Sequence, residues 1–450
     1  MGCGEGSEGR QVENGADGDA AGCFAAVVED GHVGEDDGAA GGVAGQEEAE
    51  EGPFLVVEAA GVEEISERVH CGLDLSWKTP MLQPPPAEPG MFEADIDTPA
   101  LVIDLDAFEH NLDRMAALLA PTGAKLRAHA KTHKSPIVAH QQMRRGAVGQ
   151  CVQKVAEAEV LAWGGVPDIL VSNEVVGDRK LARFAALSGL ARVAICADHG
   201  HQVERLEVAA EAAGRRLTVL VEIDVGAGRA GVAPGPDAVA LAERIAGSKH
   251  LIFGGLQAYH GSAQHQRGAE ERRATIGAAV DSSRRTVEQL RQRGLACPIV
   301  GGAGTGTFEL EAASGVYTEV QAGSYAFMDA DYARNQGGVS AGFRHALFVV
   351  ATVMSQSRAG LAVLDAGHKA VAIDSGMPTV WQREGVRYTG ASDEHGKLEW
   401  AEGEGVRIGE KLRLVPGHCD PTVDRHDWYV GVRGGRVECL WPVAARGAMA

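Results

Sequence analysis

Short apolar segments alternate with helical segments along residues 124–322 of the chain. The apolar segments end near residues 130, 152, 172, 197, 224, 259, 302 and 322, and amphipathic stretches such as "KVAEAEVLAW" lie between them. This alternation is typical of βα units on a parallel sheet. Eight such units are enough to close a barrel, so we predict an α/β fold with a TIM-like (β/α)8 barrel over residues 93–343. An open, doubly wound sheet is the alternative.

The regions on either side of the predicted barrel have different patterns. After residue 343, Gly-punctuated β segments such as "LAVLDAG" and "WYVGVRGGRVECLWPV" predict a C-terminal all-β domain over residues 344–450. Residues 1–52 hold fourteen acidic residues and one arginine, and the Pro-rich stretch "QPPPAEPG" follows later. We therefore predict that residues 1–92 form an acidic low-complexity tail and linker that is mostly disordered.

Net charge and cysteine use limit the functional classes. A formal charge of −20 argues against a nucleic-acid-binding protein, which needs a basic face. No segment reaches the eighteen or so apolar residues of a membrane span. The eight cysteines form no CxxC pair, and several lie in apolar segments, as free thiols do in a reducing compartment. Without a signal-peptide pattern, we expect an intracellular, cytoplasmic protein.

The segment "RAHAKTHK" (127–134) concentrates positive charge at the end of the first predicted barrel strand. Active sites of such barrels lie at the C-terminal ends of the strands. Arg127, His129 and Lys131 alternate along the strand and therefore share one face. Because cationic neighbours disfavour a charged amine, we expect Arg127 and His129 to help hold Lys131 in a reactive form. A solvated surface strand is the alternative.

The segment "GGAGTGT" (301–307) leads from the seventh predicted strand into a short helix. Its backbone N–H groups and the hydroxyls of Thr305 and Thr307 suit a phosphate dianion, and phosphate sites in these barrels favour this position. It lacks the lysine of a P-loop and the spacing of a dinucleotide-binding motif. A phosphate site opposite a reactive lysine is what pyridoxal 5'-phosphate requires, so we predict this cofactor.

From "DIDTPALVID" (95–104) to "WPVAARG" (441–447), the chain resembles the metal-activated branch of the fold-type III pyridoxal-phosphate enzymes. This group contains D-threonine aldolases, 3-hydroxyaspartate aldolases and D-serine dehydratases, and the resemblance implies an alanine-racemase-like fold. The segment "RAHAKTHK" matches the family's R-P-H-x-K-T-x-K, with Ala128 in place of the usual proline. The resemblance implies that Lys131 carries the cofactor as a Schiff base.

The resemblance also implies the remaining cofactor contacts, through "GLQAYHGS" (255–262), the Gly-Thr-Gly loop and "QAGSYAFMD" (321–329). Arg229 is expected near the pyridoxal ring or its hydroxyl, and Gln321 near the ring nitrogen, where related racemases have arginine. Ala303 stands where the family often has glycine. The implied cofactor-binding set is Lys131, Arg229, Tyr259, Gly304, Thr305, Gly306, Gln321, Ser324 and Tyr325.

The segment "PGHCDPT" (416–422) resembles the family's metal-binding segment, which implies that His418 and Asp420 bind a divalent metal. We expect these two residues to alternate along one strand face, with Cys419 pointing away. An imidazole and a carboxylate suit Mn²⁺, Mg²⁺ or Co²⁺ better than Zn²⁺, which a thiolate would favour. In the family, aspartate at this position goes with the aldolases and cysteine with the dehydratases, so the segment favours an aldolase.

The resemblance thus implies a carbon–carbon lyase that cleaves D-threonine, D-allo-threonine and other D-β-hydroxy-α-amino acids to glycine and an aldehyde. A metal on the β-hydroxyl would lower its pKa, and we expect His133, two residues past Lys131, to take the proton. A D-serine dehydratase, a non-catalytic pyridoxal-phosphate carrier and a barrel racemase are the alternatives. By analogy we expect a homodimer that acts on small molecules, with no nucleic-acid or membrane partner.

Overall fold

The structure is a computed structural model of the chain and describes residues 83–450 apart from 339–341, 402 and 404. The predicted acidic tail and most of the predicted linker lie outside the described residues. No helix in the described part of the chain combines the length and the apolar character needed to cross a membrane.

A closed barrel of eight parallel strands follows an N-terminal strand, β1 (Ala100–Asp104), and a helix, α1 (Leu105–Leu119). The barrel strands are β2 (Lys125–His129), β3 (Gly149–Val152), β4 (Asp168–Glu174), β5 (Arg192–Ala197), β6 (Leu217–Glu222), β7 (Leu251–Gln257), β8 (Ile299–Gly302) and β9 (Glu319–Val320). The helices between them are α2 (Pro136–Arg144), α3 (Val155–Trp163), α4 (Asp178–Leu187), α5 (Gly200–Ala212), α6 (Pro236–Gly247), α7 (Ala269–Gln292) and α8 (Phe308–Ala312). Because β9 pairs with β2, the open-sheet alternative is wrong.

Successive side chains along the barrel strands point to opposite faces and form two different parts of the core. Cys151, Leu170, Cys196 and Leu220 form a small cluster of their own inside the barrel. Residues of the other parity, such as Ile169 on β4, belong to the large cluster that includes the surrounding helices. Burying each large aliphatic side chain contributes about 1.5–3 kcal/mol, so the period-two pattern of the strands places stabilising side chains on both faces of the barrel wall.

Arg127 on β2 stabilises the N-terminal end of the barrel. Its guanidinium donates to Glu319 Oε2 at 2.7 Å and to Asp168 Oδ1 at 2.6 Å, and these carboxylates belong to the first residues of β9 and β4. The buried carboxylate of Glu319 and the partly buried one of Asp168 neutralise the arginine. Arg127 is therefore a structural residue, and the expectation that its charge activates Lys131 is wrong.

The C-terminal region forms a nine-stranded sheet that includes β1. Its further strands are β10 (Leu347–Arg358), β11 (Leu361–Leu364), β12 (Thr379–Val380), β13 (Arg387–Ala391), β14 (Gly396–Glu399), β15 (Lys411–Val415), β16 (Trp428–Arg433) and β17 (Arg436–Pro442). A short helix, α9 (Cys419–Val423), lies between β15 and β16. The sequence interpretation placed Ala100–Asp104 with the barrel, but β1 pairs with β10 and β16 in this sheet.

The two parts of the fold share a core at the C-terminal end of β2. Phe108 of α1, Phe327 after β9 and Tyr429 of β16 belong to one hydrophobic cluster. The hydroxyl of Tyr429 donates to the backbone oxygen of His133 at 2.7 Å. The β domain therefore packs directly against the segment that carries Lys131, and this contact positions the candidate site.

Candidate active site

A cavity of about 540 Å³ lies at the C-terminal ends of the barrel strands. Most of its lining residues carry polar side chains; His129 and Lys131 come from the end of β2, Arg229 from the loop after β6 and His265 from the loop after β7. The lining residues are His129, Lys131, Thr132, Gln153, Ser172, Ala227, Arg229, Gln257, Tyr259, Gly261, Ser262, His265, Gly304, Thr305, Gln321, Gly323, Ser324 and Tyr332. This position is where barrels of this type carry their active sites.

Lys131 lies in a single 3₁₀ turn (Ala130–Thr132) directly after β2, and its side chain faces the cavity. The ammonium forms an ion pair with Asp420, and 40% of the lysine side chain is exposed to the cavity. Burial lowers the pKa of Lys131, but the carboxylate of Asp420 outweighs burial and raises it above the ordinary lysine value. The charge state of Lys131 is therefore set by an acidic partner, and the solvated surface strand is excluded.

Backbone and hydroxyl groups of two loops form one wall of the cavity. Gly304 and Thr305 follow β8, and Gly323 and Ser324 follow β9. A Cβ at Gly304 would lie 2.5 Å from Gln264 Oε1, and one at Gly323 would lie 2.5 Å from Thr132 Oγ1. A side chain at either position would displace these neighbours, and the wall therefore consists of backbone with two hydroxyls beside it. Such a wall fits a phosphate dianion.

Three residues of these loops point away from the cavity. Gly306 donates its N–H to Gln264 Oε1 at 3.0 Å, and the hydroxyl of Thr307 donates to Glu311 at 2.8 Å. The ring of Tyr325 is fully buried against Phe343, with ring centroids 5.8 Å apart. Gly306 and Tyr325 belong to the implied cofactor-binding set, but neither lines the cavity. Both support the wall from behind.

The other end of the cavity carries Arg229, Tyr259 and a pair of glutamines. The guanidinium of Arg229 lies 5.7 Å from the centre of the Tyr259 ring, and its side chain is 59% exposed. Burial and the neighbouring Glu174 raise the pKa of Glu222, which lies 3.8 Å from Arg229, so Glu222 neutralises the arginine only weakly. Gln321 and Gln257 exchange two amide hydrogen bonds of 2.8 Å. The cation of Arg229 therefore remains available to a ligand, next to two neutral amides that are bonded to each other.

His418 and Asp420 lie at the start of a helix, so the expectation that they alternate along a strand is wrong. His418 is the N-cap of α9 and Asp420 lies in its first turn. Pro421 is tolerated in a first turn, and an acidic residue there is stabilised by the helix dipole. Cys419 points away, as expected, because it is fully buried and its thiol contacts the backbone oxygen of Met328 at 3.7 Å.

The His418–Asp420 pair fits a divalent cation. His418 Nε2 and Asp420 Oδ2 lie 3.9 Å apart, and His418 Nδ1 lies 2.7 Å from Asp374 Oδ2. A carboxylate on the second ring nitrogen is the usual way to orient a metal-binding histidine. Asp420 Oδ1 is buried without a hydrogen-bond partner among the described residues. Among the described residues, no group of three or more His, Cys, Asp or Glu side chains could hold a metal ion. Water and substrate would therefore complete the coordination.

His133 does not lie in the cavity. Its ring is fully buried, its Nδ1 accepts the N–H of Ser135 at 3.1 Å, and its Nε2 lies 3.4 Å from Gln150 Oε1. Burial lowers the pKa of His133 to about 4. The turn at Ala130–Thr132 ends the strand alternation, so a residue two positions past Lys131 faces the protein core. The role of proton acceptor that we expected for His133 is therefore wrong.

His265 is the histidine that the sequence reasoning missed. It lines the cavity, its side chain is 51% exposed, and its Nδ1 lies 2.6 Å from Asp331 Oδ2. Burial raises the pKa of Asp331, but hydrogen bonds from Arg267 and His265 outweigh burial and lower it. The sequence could have indicated His265, because it follows the end of β7 in "LQAYHGSAQH". Loops after the barrel strands all lie at the C-terminal end of the barrel, where active sites are found.

Glu311→Gln in α8 is expected to stabilise the fold at pH 8 and to have little effect at pH 5. Glu311 is buried, and its Oε2 has no hydrogen-bond partner within the described part of the chain. Burial raises its pKa from 4.5 to about 7. The stability that the protonated form contributes is present below pH 4.5 and is lost as the pH rises to about 7.

Thermal unfolding of wild type and Glu311→Gln at the two pH values measures this effect. Glu288→Gln, on the exposed side of α7, is the matched control and should shift neither curve. An equal shift for Glu311→Gln at both pH values would contradict the assignment.

Comparison with known proteins gives consistent matches along the chain. The family model described as "Alanine racemase, N-terminal domain" matches residues 103–331, and one described as "Putative serine dehydratase domain" matches residues 346–432. A 3-hydroxy-D-aspartate aldolase of Paracoccus denitrificans is 46% identical over 80% of this chain and 95% of its own length. A D-threonine aldolase of Arthrobacter sp. is 45% identical over 81% of this chain and 96% of its own length.

A solved structure extends the comparison to three dimensions. The crystal structure of D-threonine aldolase from Filomicrobium marinum superposes with a TM-score of 0.80 and 50% sequence identity, covering 81% of this chain and all of that one. The barrel followed by a β domain is therefore the alanine-racemase-like architecture that the sequence predicts.

Proposed function

Because the chain belongs to the family of the D-threonine aldolases and 3-hydroxy-D-aspartate aldolases, which are carbon–carbon lyases, we propose that it cleaves D-β-hydroxy-α-amino acids. D-Threonine and D-allo-threonine are the proposed substrates, and glycine and acetaldehyde the products. Pyridoxal 5'-phosphate and a divalent cation, Mn²⁺, Mg²⁺ or Co²⁺, are the proposed cofactors.

One observation carries this proposal: the cavity lysine and the candidate metal pair are in contact. Lys131 comes from the first barrel strand and Asp420 from the β domain, yet their charged groups form an ion pair. An aldolase of this kind needs an amine for the cofactor and a cation for the β-hydroxyl within reach of the same substrate. A pyridoxal-phosphate carrier or a racemase has no need of the second group.

Each group in the cavity then has a binding role. Bound pyridoxal phosphate supplies an electron sink for the carbon–carbon bond, and a divalent cation lowers the pKa of the β-hydroxyl. Lys131 would hold the cofactor covalently, and Thr305 and Ser324, which line the same cavity, would donate to its phosphate. Arg229 supplies a positive charge and Gln321 a neutral amide toward the ring, next to Tyr259.

His418 and Asp420 would hold the cation. The ring orientation of His418 is fixed by Asp374, which leaves Nε2 free to coordinate. Asp420 offers a carboxylate with one oxygen that has no partner among the described groups. A donor set of one nitrogen and carboxylate oxygens favours a hard or borderline cation over Zn²⁺ bound by thiolate.

His265 is the proposed proton acceptor for the β-hydroxyl. It faces the cavity, and the carboxylate of Asp331 holds its Nδ1, so Nε2 is the nitrogen that can take a proton from substrate. Arg267 donates to the backbone oxygen of Asp331 at 2.7 Å, which fixes that carboxylate's loop. This arrangement of a histidine oriented by a carboxylate is typical of general-base catalysis.

His265→Ala is expected to lower kcat for D-threonine by roughly 10²–10⁴-fold, the usual contribution of a positioned base. His133→Asn, in the adjacent buried network, is the control and should keep the wild-type kcat even if it lowers stability. Steady-state kinetics of both variants checks the prediction; a wild-type kcat for His265→Ala would remove His265 from the mechanism.

A D-serine dehydratase is the second candidate, and the position of Cys419 argues against it. The thiol is fully buried and faces Met328, whereas Asp420 next to it faces Lys131. An oxygen ligand therefore stands where a dehydratase would present sulfur. Incubating the protein with D-threonine, D-phenylserine and D-serine in the presence of both cofactors separates the candidates: aldehyde and glycine identify an aldolase, and pyruvate from D-serine a dehydratase.

We further propose an intracellular homodimer with no nucleic-acid or membrane partner. The described cysteines are all free thiols, which suits a reducing compartment. The net charge of −20 disfavours a polyanionic partner. Size-exclusion chromatography with light scattering tests the oligomeric state.

A further inference from the structure

Lys134 is the one cation of the "RAHAKTHK" segment whose position suggests a task not yet assigned. It has a left-handed backbone conformation, with φ at +50°, which is unusual for a lysine. Its side chain is only 7% exposed. A buried lysine in a sparsely populated conformation persists only where the surroundings hold it in place.

Two carboxylates from different parts of the fold hold this ammonium. Lys134 Nζ lies 2.6 Å from Asp424 Oδ1 and 3.5 Å from Glu157 Oε1. Asp424 is the C-cap of α9, the helix that begins at His418. Glu157 lies in the first turn of α3 and accepts the N–H of Gln153 at 2.9 Å. The amide of Gln153 in turn lies 2.9 Å from the ring of His129 at the cavity wall.

From these contacts we propose that Lys134 is a positioning residue that sets the spacing between the cofactor lysine and the metal-binding helix. The inference rests on the proposed function, because it assigns Lys134 a role toward that cation site. It adds a residue to the site that touches neither substrate nor cofactor.

Two contacts join the segment 131–134 to α9. Lys131 contacts Asp420 in the first turn of α9, and Lys134 contacts Asp424, the C-cap residue that follows the helix. In the working enzyme both partners of the first pair have other ligands, since Lys131 serves the cofactor and Asp420 the cation. The pair of Lys134 and Asp424 lies outside the cofactor and cation positions; its further contacts are structural, from Gly447 N–H to Asp424 and from Lys134 to Glu157. It therefore keeps His418 and Asp420 at a fixed distance from Lys131 after the first contact is given up.

Neighbouring contacts make a variant at Lys134 testable. The backbone oxygen of Lys134 accepts the N–H of Ala445 at 2.9 Å, and Tyr429 holds the preceding residue. These contacts do not involve the lysine side chain, so the segment remains attached to the β domain in Lys134→Met. Lys125→Met is the matched control, because Lys125 is exposed at the start of β2, the strand that precedes this segment.

The experiment is a titration of chelator-treated, cofactor-loaded protein with Mn²⁺. The electron paramagnetic resonance signal measures the free Mn²⁺, and the bound fraction follows by difference. Lys134→Met is expected to weaken Mn²⁺ binding about tenfold, the effect of losing a supporting contact around a metal site. Lys125→Met should bind as wild type does. Because the defect lies in affinity, excess Mn²⁺ should restore the kcat of Lys134→Met.

Four results would decide against the inference. Unchanged Mn²⁺ affinity in Lys134→Met overturns it alone, as does a kcat that stays low at every Mn²⁺ concentration, which indicates a general packing defect. A wild-type protein without a saturable Mn²⁺ site overturns the proposed metal site and the inference together. Asp424→Asn, which keeps the size of the side chain, replaces Lys134→Met if that variant does not fold. It should weaken Mn²⁺ binding several-fold. Wild-type Mn²⁺ affinity in Asp424→Asn would contradict the proposal.

Discussion

Replacing Lys131 with alanine is expected to abolish the visible absorption of the bound cofactor and to lower kcat/KM for D-threonine by at least roughly 10³-fold. Lys131 is the lysine that faces the cavity, opposite a backbone wall suited to phosphate. Without its amine the cofactor has no covalent attachment there. Absorbance spectra and steady-state rates of the purified variant, reconstituted with pyridoxal phosphate and Mn²⁺, measure both effects.

A second variant separates the covalent role of Lys131 from its charge. Lys131→Arg keeps a cation beside Asp420, so it preserves the ion pair that links the barrel to the β domain. It lacks a reactive amine and should be as inactive as Lys131→Ala. If Lys131→Arg kept the visible band and substantial activity, Lys131 would serve only as a counter-ion, and the cofactor would be held elsewhere. Lys125→Ala, on the same strand, should behave as wild type.

Replacing His418 with alanine is expected to lower kcat/KM by roughly 10²–10⁴-fold, because a cation that stabilises a developing alkoxide is worth several kcal/mol. The ring of His418 is held by Asp374, and its free nitrogen is 3.9 Å from Asp420. Removing the imidazole leaves a single protein carboxylate to hold the cation. Chelator treatment of the wild type should produce a loss of the same size.

Cofactor retention separates this defect from unfolding. His418→Ala should keep the visible absorption of the cofactor, because His418 does not line the cavity that holds Lys131. His201→Ala, on the exposed face of α5, is the matched control and should retain full activity. Full activity of His418→Ala in the presence of a chelator would contradict a metal-dependent reaction.

The barrel was predictable because its signal is local. Each strand is a short apolar segment next to an amphipathic helix, and all eight predicted strand ends agree with the structure to within a few residues. The place of β1 was not predictable in this way. Its pairing partners, β10 and β16, lie more than two hundred residues away, and an apolar strand carries no mark of which sheet it joins.

The sequence motifs indicated which residues share a cavity better than they indicated how the side chains are oriented. Lys131, Arg229, Tyr259 and Ser324 line one cavity, as the motifs imply. The orientation that we expected for the His133 side chain was wrong, because the 3₁₀ turn after His129 ends the alternation of side chains along β2. The set of nine implied cofactor contacts also includes two that support the wall from behind.

Electrostatics were the least predictable part of the site. The sequence places Lys131 among cations, but the structure brings the carboxylate of Asp420 to it from 289 positions along the chain. That contact, and not the neighbours on β2, determines the direction in which the pKa of Lys131 shifts. Long-range pairs of this kind depend on how the β domain packs on the barrel, which no local pattern encodes.

The most direct measurement is reductive trapping of the cofactor-loaded protein with borohydride, followed by proteolysis and mass spectrometry. Stable addition of the cofactor to the peptide that contains Lys131, at near one equivalent per chain, is the predicted result. Attachment to any other lysine, or no covalent attachment in active protein, would contradict the assignment of the site.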